Sequence, residues 1–157
     1  VGEIVARVPV EVRARAVSER FNLAIAIVCA AIAILGFVPS YWFPLATGVQ
    51  RQPPLVHLHA FLFSGWMLLF VLQASLIARG DSALHKRLGL AGVALAATMS
   101  CVGLLMTVHS LHLNAALGFA SQGAAFSIVS FSGIVLFAGF VTVAIATRER
   151  EMHKALM

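Results

Sequence analysis

Four stretches of this sequence, about residues 21–38, 55–78, 88–108 and 123–147, are apolar almost throughout. Each can cross a hydrocarbon layer of roughly 30 Å as a helix rising ~1.5 Å per residue. In hydrocarbon, backbone N–H and C=O groups must pair within their own segment or around a closed barrel. Barrel strands are shorter and alternate in polarity, and these runs do neither. The fold class is therefore all-α, a four-transmembrane-helix membrane protein. A chain that is 61% hydrophobic and only 11% charged has too little polar surface to cover such a core in water.

The charges that remain fix an orientation. Arg7, Arg13, Arg15 and Arg20 precede the first run, Arg79, Lys86 and Arg87 join the second to the third, and Arg148, Arg150 and Lys154 follow the fourth. Arg51 alone lies on the other side. The excess of Lys and Arg on one side predicts cytoplasmic N- and C-termini in a multi-pass protein of the bacterial inner membrane. A net charge of +5 placed this way contacts membrane surface and leaves no face for nucleic acid. Cys29 and Cys101 fall inside apolar runs and read as small buried thiols without a disulfide.

Residues 1–20 form a separate cytoplasmic segment, read equally as an amphipathic helix on the membrane surface or as a solvated linker. The first outer loop, "PSYWFPLATGVQRQPP", is a proline-rich turn whose Tyr41, Trp42 and Phe43 suit an interfacial aromatic belt. Two cytoplasmic edges echo each other: "ARGDSALHKRLGL" and "ATREREMHKALM" both place His-Lys-x-Leu after a basic residue and a polar turn. The first copy leads into a membrane helix. The second stops where another would begin, so the chain is expected to be a truncated form of a longer protein.

Topology sorts the six histidines. His57 and His59 open the second helix and His109 and His112 close the third, all on the outer side, while His85 and His153 lie in the echoed cytoplasmic turns. His57 and His59 are about 200° apart around a helix, whereas His109 and His112 are about 60° apart and share a face. One ligand from each helix would suit axial coordination of a b-type haem, and three together would suit zinc or copper. Depth counts against haem, and the lack of a nearby carboxylate counts against a metal site. Interfacial histidines bonded to loops, lipid or water, with no cofactor, are the favoured reading. His85, Lys86 and Arg87 are also placed to meet anionic lipid headgroups.

His59, Trp66 and Gln73 recur every seven residues with Phe63 and Phe70 between them, one stripe that must face other helices because Gln73 needs a partner. A cavity with Trp66 stacked on a ring and Gln73 bonded to its edge is one reading, and an aromatic packing seam is the plainer one. Gly92, Ala96, Ser100 and Gly103 on the third helix, with Gly133 and Gly139 on the fourth, are small residues at helix-packing spacing. No charge lies within a span, and no general acid, phosphate loop or Cys-x-x-Cys motif occurs, so the chain is not expected to be an enzyme.

The run "PPLVHLHAFLFSGWMLLFVLQASLIARGDSALHKRLGLAG", with "YWFPL" before it and "HKALM" after it, resembles a family of small bacterial multi-pass inner-membrane proteins. The shared signature falls on His57, His59, Trp66, Gln73, His85, Leu88, Gly89, His153 and Lys154. The resemblance implies a topology that continues past "HKALM" with further apolar helices, and it implies no activity. Relatives are similar in carrying an acidic residue near the positions of Ser132 and Gly133, which this chain lacks.

Together these features lead us to expect a non-catalytic accessory subunit of a larger bacterial energy-converting membrane complex, photosynthetic or respiratory, contacting lipids and other transmembrane subunits. The alternatives are a haem- or metal-binding redox protein using the outer histidines, and a quinone- or lipid-binding protein built around Trp66 and Gln73.

Overall fold

The computed structural model describes residues 10–49, 51–147 and 150–156, and the side chains of 16–49, 51–147, 152, 153, 155 and 156. Part of the expected amphipathic segment (residues 1–9 and the side chains of 10–15), Arg148 and the side chain of Lys154 lie outside it. Helix α1 spans Val10–Gly36, followed by a π-helical turn at Val38–Trp42 and the short α2 at Phe43–Thr47. Then come α3 (Pro54–Ala78), α4 (Ser82–Ala116), α5 (Ala120–Ala146) and the short α6 (Arg150–Leu156). No strand occurs among the described residues. Four of these helices are long and apolar enough to cross a membrane, as expected of an integral multi-pass protein.

The helices overrun the apolar stretches. No Gly or Pro interrupts residues 10–35, so α1 extends well before residue 21 as one piece. α4 reaches 35 residues, about 50 Å, and runs past the apolar stretch at both ends. Propensity and intact i→i−4 bonding carry a helix on until a cap stops it, whereas hydropathy marks only the part that suits lipid. The expected proline-rich turn contains two short helical pieces, entered through Pro39 and Pro44, because proline is tolerated in a first turn.

One device makes both tight turns. Gly80 and Gly118 sit at φ +80° and +84°, a left-handed conformation that glycine adopts without a Cβ clash. Asp81 N–H reaches back to Leu76 O at 2.9 Å, and Phe119 N–H reaches Asn114 O at 2.8 Å, capping the carbonyl ends of α3 and α4. Asp81 then caps the next helix, its Oδ1 accepting from Leu84 N–H at 3.0 Å. Such short links force antiparallel neighbours.

The helices form a row. α1 packs on α3, α3 on α4, α4 on α5, and α6 folds back on α5, while no backbone contact joins α1 to α4 or α5 among the described residues. Close approach is set by α4: Gly92, Ala96 and Gly103 are buried, and Ser100 is half-buried beside them. A Cβ on Gly92 would meet Leu69 at 3.3 Å, and one on Gly103 would meet Ile134 at 3.1 Å. Gly133 and Gly139, by contrast, have nothing within 4 Å of a Cβ position. The buried apolar residues are few and mostly small (Ala26, Ala30, Leu76, Ala96, Val102, Val141 and Ala144). Cys29 and Cys101 are free, as expected, but exposed on the outward faces instead of buried, because a single row of helices has too little interior to enclose them.

Candidate functional site

The row curls to one side. Trp66 of α3 meets Phe137 of α5 edge-on, with ring centroids 5.0 Å apart, although those helices have no backbone contact. This pair divides the concave face into two cavities.

The cavity toward the Arg51 end, about 510 Å³, is lined by His59, Phe63 and Trp66 of α3, with Gly103, Thr107 and Ser110 of α4 opposite. A smaller cavity of about 240 Å³ lies between α1 and α3 and shares His59. His59 stacks on Phe63 with centroids 6.2 Å apart. His57 points elsewhere, its Nδ1 hydrogen-bonded to the Tyr41 hydroxyl at 2.9 Å. His109 and His112 line none of these cavities, because the α4 face turned inward is the Gly103–Thr107–Ser110 face. Among the described residues, no group of three or more His, Cys, Asp or Glu side chains is placed to hold a metal ion. Each of these four histidines therefore has its own surroundings, and the α4 residues that share the larger cavity with His59 include Gly103, Thr107 and Ser110.

The other cavity, about 380 Å³, lies at the end that carries Arg79, Lys86 and Arg87. Its walls come from α1 (Glu19, Asn22), α3 (Trp66, Gln73), α4 (His85, Gly89), α5 (Val141, Ile145) and α6 (His153). The seven-residue stripe of α3 thus serves both cavities: His59 faces one, Gln73 the other, and Trp66 both. Gln73 lies beside Gly89, its amide nitrogen 3.8 Å from where a Cβ would stand, which is ordinary contact distance.

Here the two echoed turns meet. The rings of His85 and His153 lie edge to face with centroids 6.1 Å apart. His153, which lines the crevice, donates its Nδ1–H to the carbonyl of Ala144 at 2.9 Å, which fixes the ring and leaves Nε2 as the other ring nitrogen. Gln73 Oε1 and His85 Nδ1 are shut off from solvent with no hydrogen-bond partner among the described residues. Lys86 and Arg87 are exposed and separate from His85, which turns inward. Sequence reasoning placed His85 with its basic neighbours and passed over Asn22 and the pairing with His153. The signal that could have joined the two histidines was the echo itself, since equivalent residues of two antiparallel turns at one membrane edge can face each other.

No protein family, curated protein or solved structure matches the chain, so its geometry is the basis for a functional reading.

Proposed function

We infer that this chain is a non-catalytic structural subunit of a larger assembly in the bacterial inner membrane, with both termini cytoplasmic, its open helix faces covered by other transmembrane subunits. The observation that carries this reading is the thinness of the interior. The accessible surface is 11405 Å², whereas a compact chain of 16.7 kDa exposes about 7,600 Å². Between 6% and 22% of each membrane-length window is buried. Large side chains such as Phe61, Leu68 and Ile128 point outward, and Gly139 of α5 has nothing within 4 Å of a Cβ position. A small-residue position facing nothing in its own chain offers the close approach that another helix needs.

The test is extraction of the chain with its surrounding lipid, followed by mass determination. We expect defined transmembrane partners at fixed stoichiometry, lost in Gly139→Leu while the chain keeps its helicity. A monomer of 16.7 kDa with lipid alone would overturn the reading.

A further inference from the structure

We propose that the crevice formed by Gln73, His85 and His153 binds the ring of a lipid-soluble hydroquinone. This inference goes beyond a structural role and does not depend on it.

Two side-chain atoms of the crevice, Gln73 Oε1 and His85 Nδ1, are buried with unmet hydrogen bonds among the described residues. Gln73 Oε1 can only accept, and it is buried without a partner among the described residues. His153 spends its Nδ1–H on Ala144, so its neutral ring offers Nε2 as a second acceptor. His85 Nδ1 is the other buried atom without a partner among the described residues, in a ring that also lies against the Gln73 backbone carbonyl. A group that suits this set brings O–H donors on a rigid body. Amide N–H groups of Gln73 and Asn22 line the same crevice, so the set suits a group that both donates and accepts, as a hydroxyl does and an ionised phosphate or carboxylate does not.

The walls specify the rest of the ligand. Trp66 supplies an aromatic surface, and Val141 and Ile145 supply apolar ones, in a cavity of about 380 Å³. That volume lies at the lower end of the range for small organic ligands, roughly 300–1,000 Å³. Access is lateral: α1 and α5 both line the crevice yet do not pack on each other, so a ligand dissolved in the bilayer can enter between them. A ring with two hydroxyls and an apolar tail matches the polar edge, the walls and the route. The proposal concerns binding, with no electron transfer assigned.

The test is binding of radiolabelled tetramethylhydroquinone to the full chain in lipid nanodiscs under argon, with empty nanodiscs as background. We expect saturable binding near one per chain, weakened about tenfold or more by Gln73→Leu and by His153→Ala. The dimethyl ether of the probe, which has no O–H, should bind more weakly by a similar factor. His59→Ala, in the other cavity, should bind as the parent does and controls for folding. Equal uptake by the parent chain and Gln73→Leu would show simple partitioning and overturn the proposal. So would equal binding of the ether. A Soret band in the purified chain that vanishes in both His85→Ala and His153→Ala would also overturn it, by assigning the two imidazoles to an iron porphyrin.

Discussion

Replacing Gly123 by alanine would place one methyl group where the fold has no room. Gly123 lies in the first turn of α5, and an added Cβ would stand 2.6 Å from Cβ of Asn114 on α4. Carbon atoms in contact sit about 3.5–4.0 Å apart, so the helices must separate by roughly 1 Å. The obstacle is a Cβ, which rotamer changes cannot move. Asn114 is also held by its side-chain amide, which donates to Ser110 O at 2.8 Å. Overpacking of this kind costs about 1–3 kcal/mol, or roughly a five- to 150-fold change in the folded-to-unfolded ratio. Alanine also gains helix propensity over glycine, so Gly133→Ala, with nothing within 4 Å of its new methyl, is the matched control. Subtracting the two isolates the clash. The assay is reversible unfolding in mixed detergent micelles, followed by circular dichroism. Gly123→Ala should be the less stable by about 1–3 kcal/mol, and Asn114→Gly in the same chain should remove most of that difference. Equal stability of Gly123→Ala and Gly133→Ala would refute the claim that the α4–α5 turn is held by backbone contact at Gly123.

Three further outcomes follow from other contacts. Tyr41→Phe removes the 2.9 Å hydrogen bond to His57 but keeps the ring-to-ring contact at 5.8 Å, so it should cost about 0.5–1.5 kcal/mol in the same unfolding assay. Gln73→Leu replaces a half-buried amide, whose shielded oxygen has no partner among the described residues, with an apolar side chain of similar size. In the absence of ligand it should leave stability unchanged or raise it by up to about 1–3 kcal/mol, and a clear loss would mean that water or another group already satisfies that oxygen. For sidedness, cysteines introduced at Val49 and at Ser82, in a chain with Cys29 and Cys101 replaced by alanine, should respond oppositely to a membrane-impermeant maleimide. Labelling of Val49→Cys from outside intact cells, with Ser82→Cys protected, is the outcome expected of cytoplasmic termini.

The two polar ends differ in how readable they were. Gly80 and Asp81 announce a helix stop and a helix start in adjacent positions, a local arrangement that any sequence reading can use. The seven-residue spacing of His59, Trp66 and Gln73 likewise defines a stripe, because helix periodicity is a property of the chain alone. Which cavity each of the three faces was not readable. That depends on Trp66 meeting Phe137, a contact between residues 71 positions apart across α4. The histidine grouping shows the same limit. Sequence order and depth suggested four imidazoles at the outer edge, but rotation of α4 about its own axis directs Gly103, Thr107 and Ser110 inward in place of His109 and His112.

By itself the sequence determined the class of molecule and the order of its four membrane-length helices, because apolar length and cap chemistry act within a few residues of where they are written. It also set where the small residues lie along α4. The tertiary structure decided what those features do. The row of helices stays open because, among the described residues, α1 and α5 do not pack on each other. Two histidines 68 positions apart come within 6.1 Å because α6 folds back along α5, far enough for His153 to bond to the Ala144 carbonyl. Such pairings are set by how helices pack and rotate against one another, which depends on contacts distributed over several elements and not on any one segment.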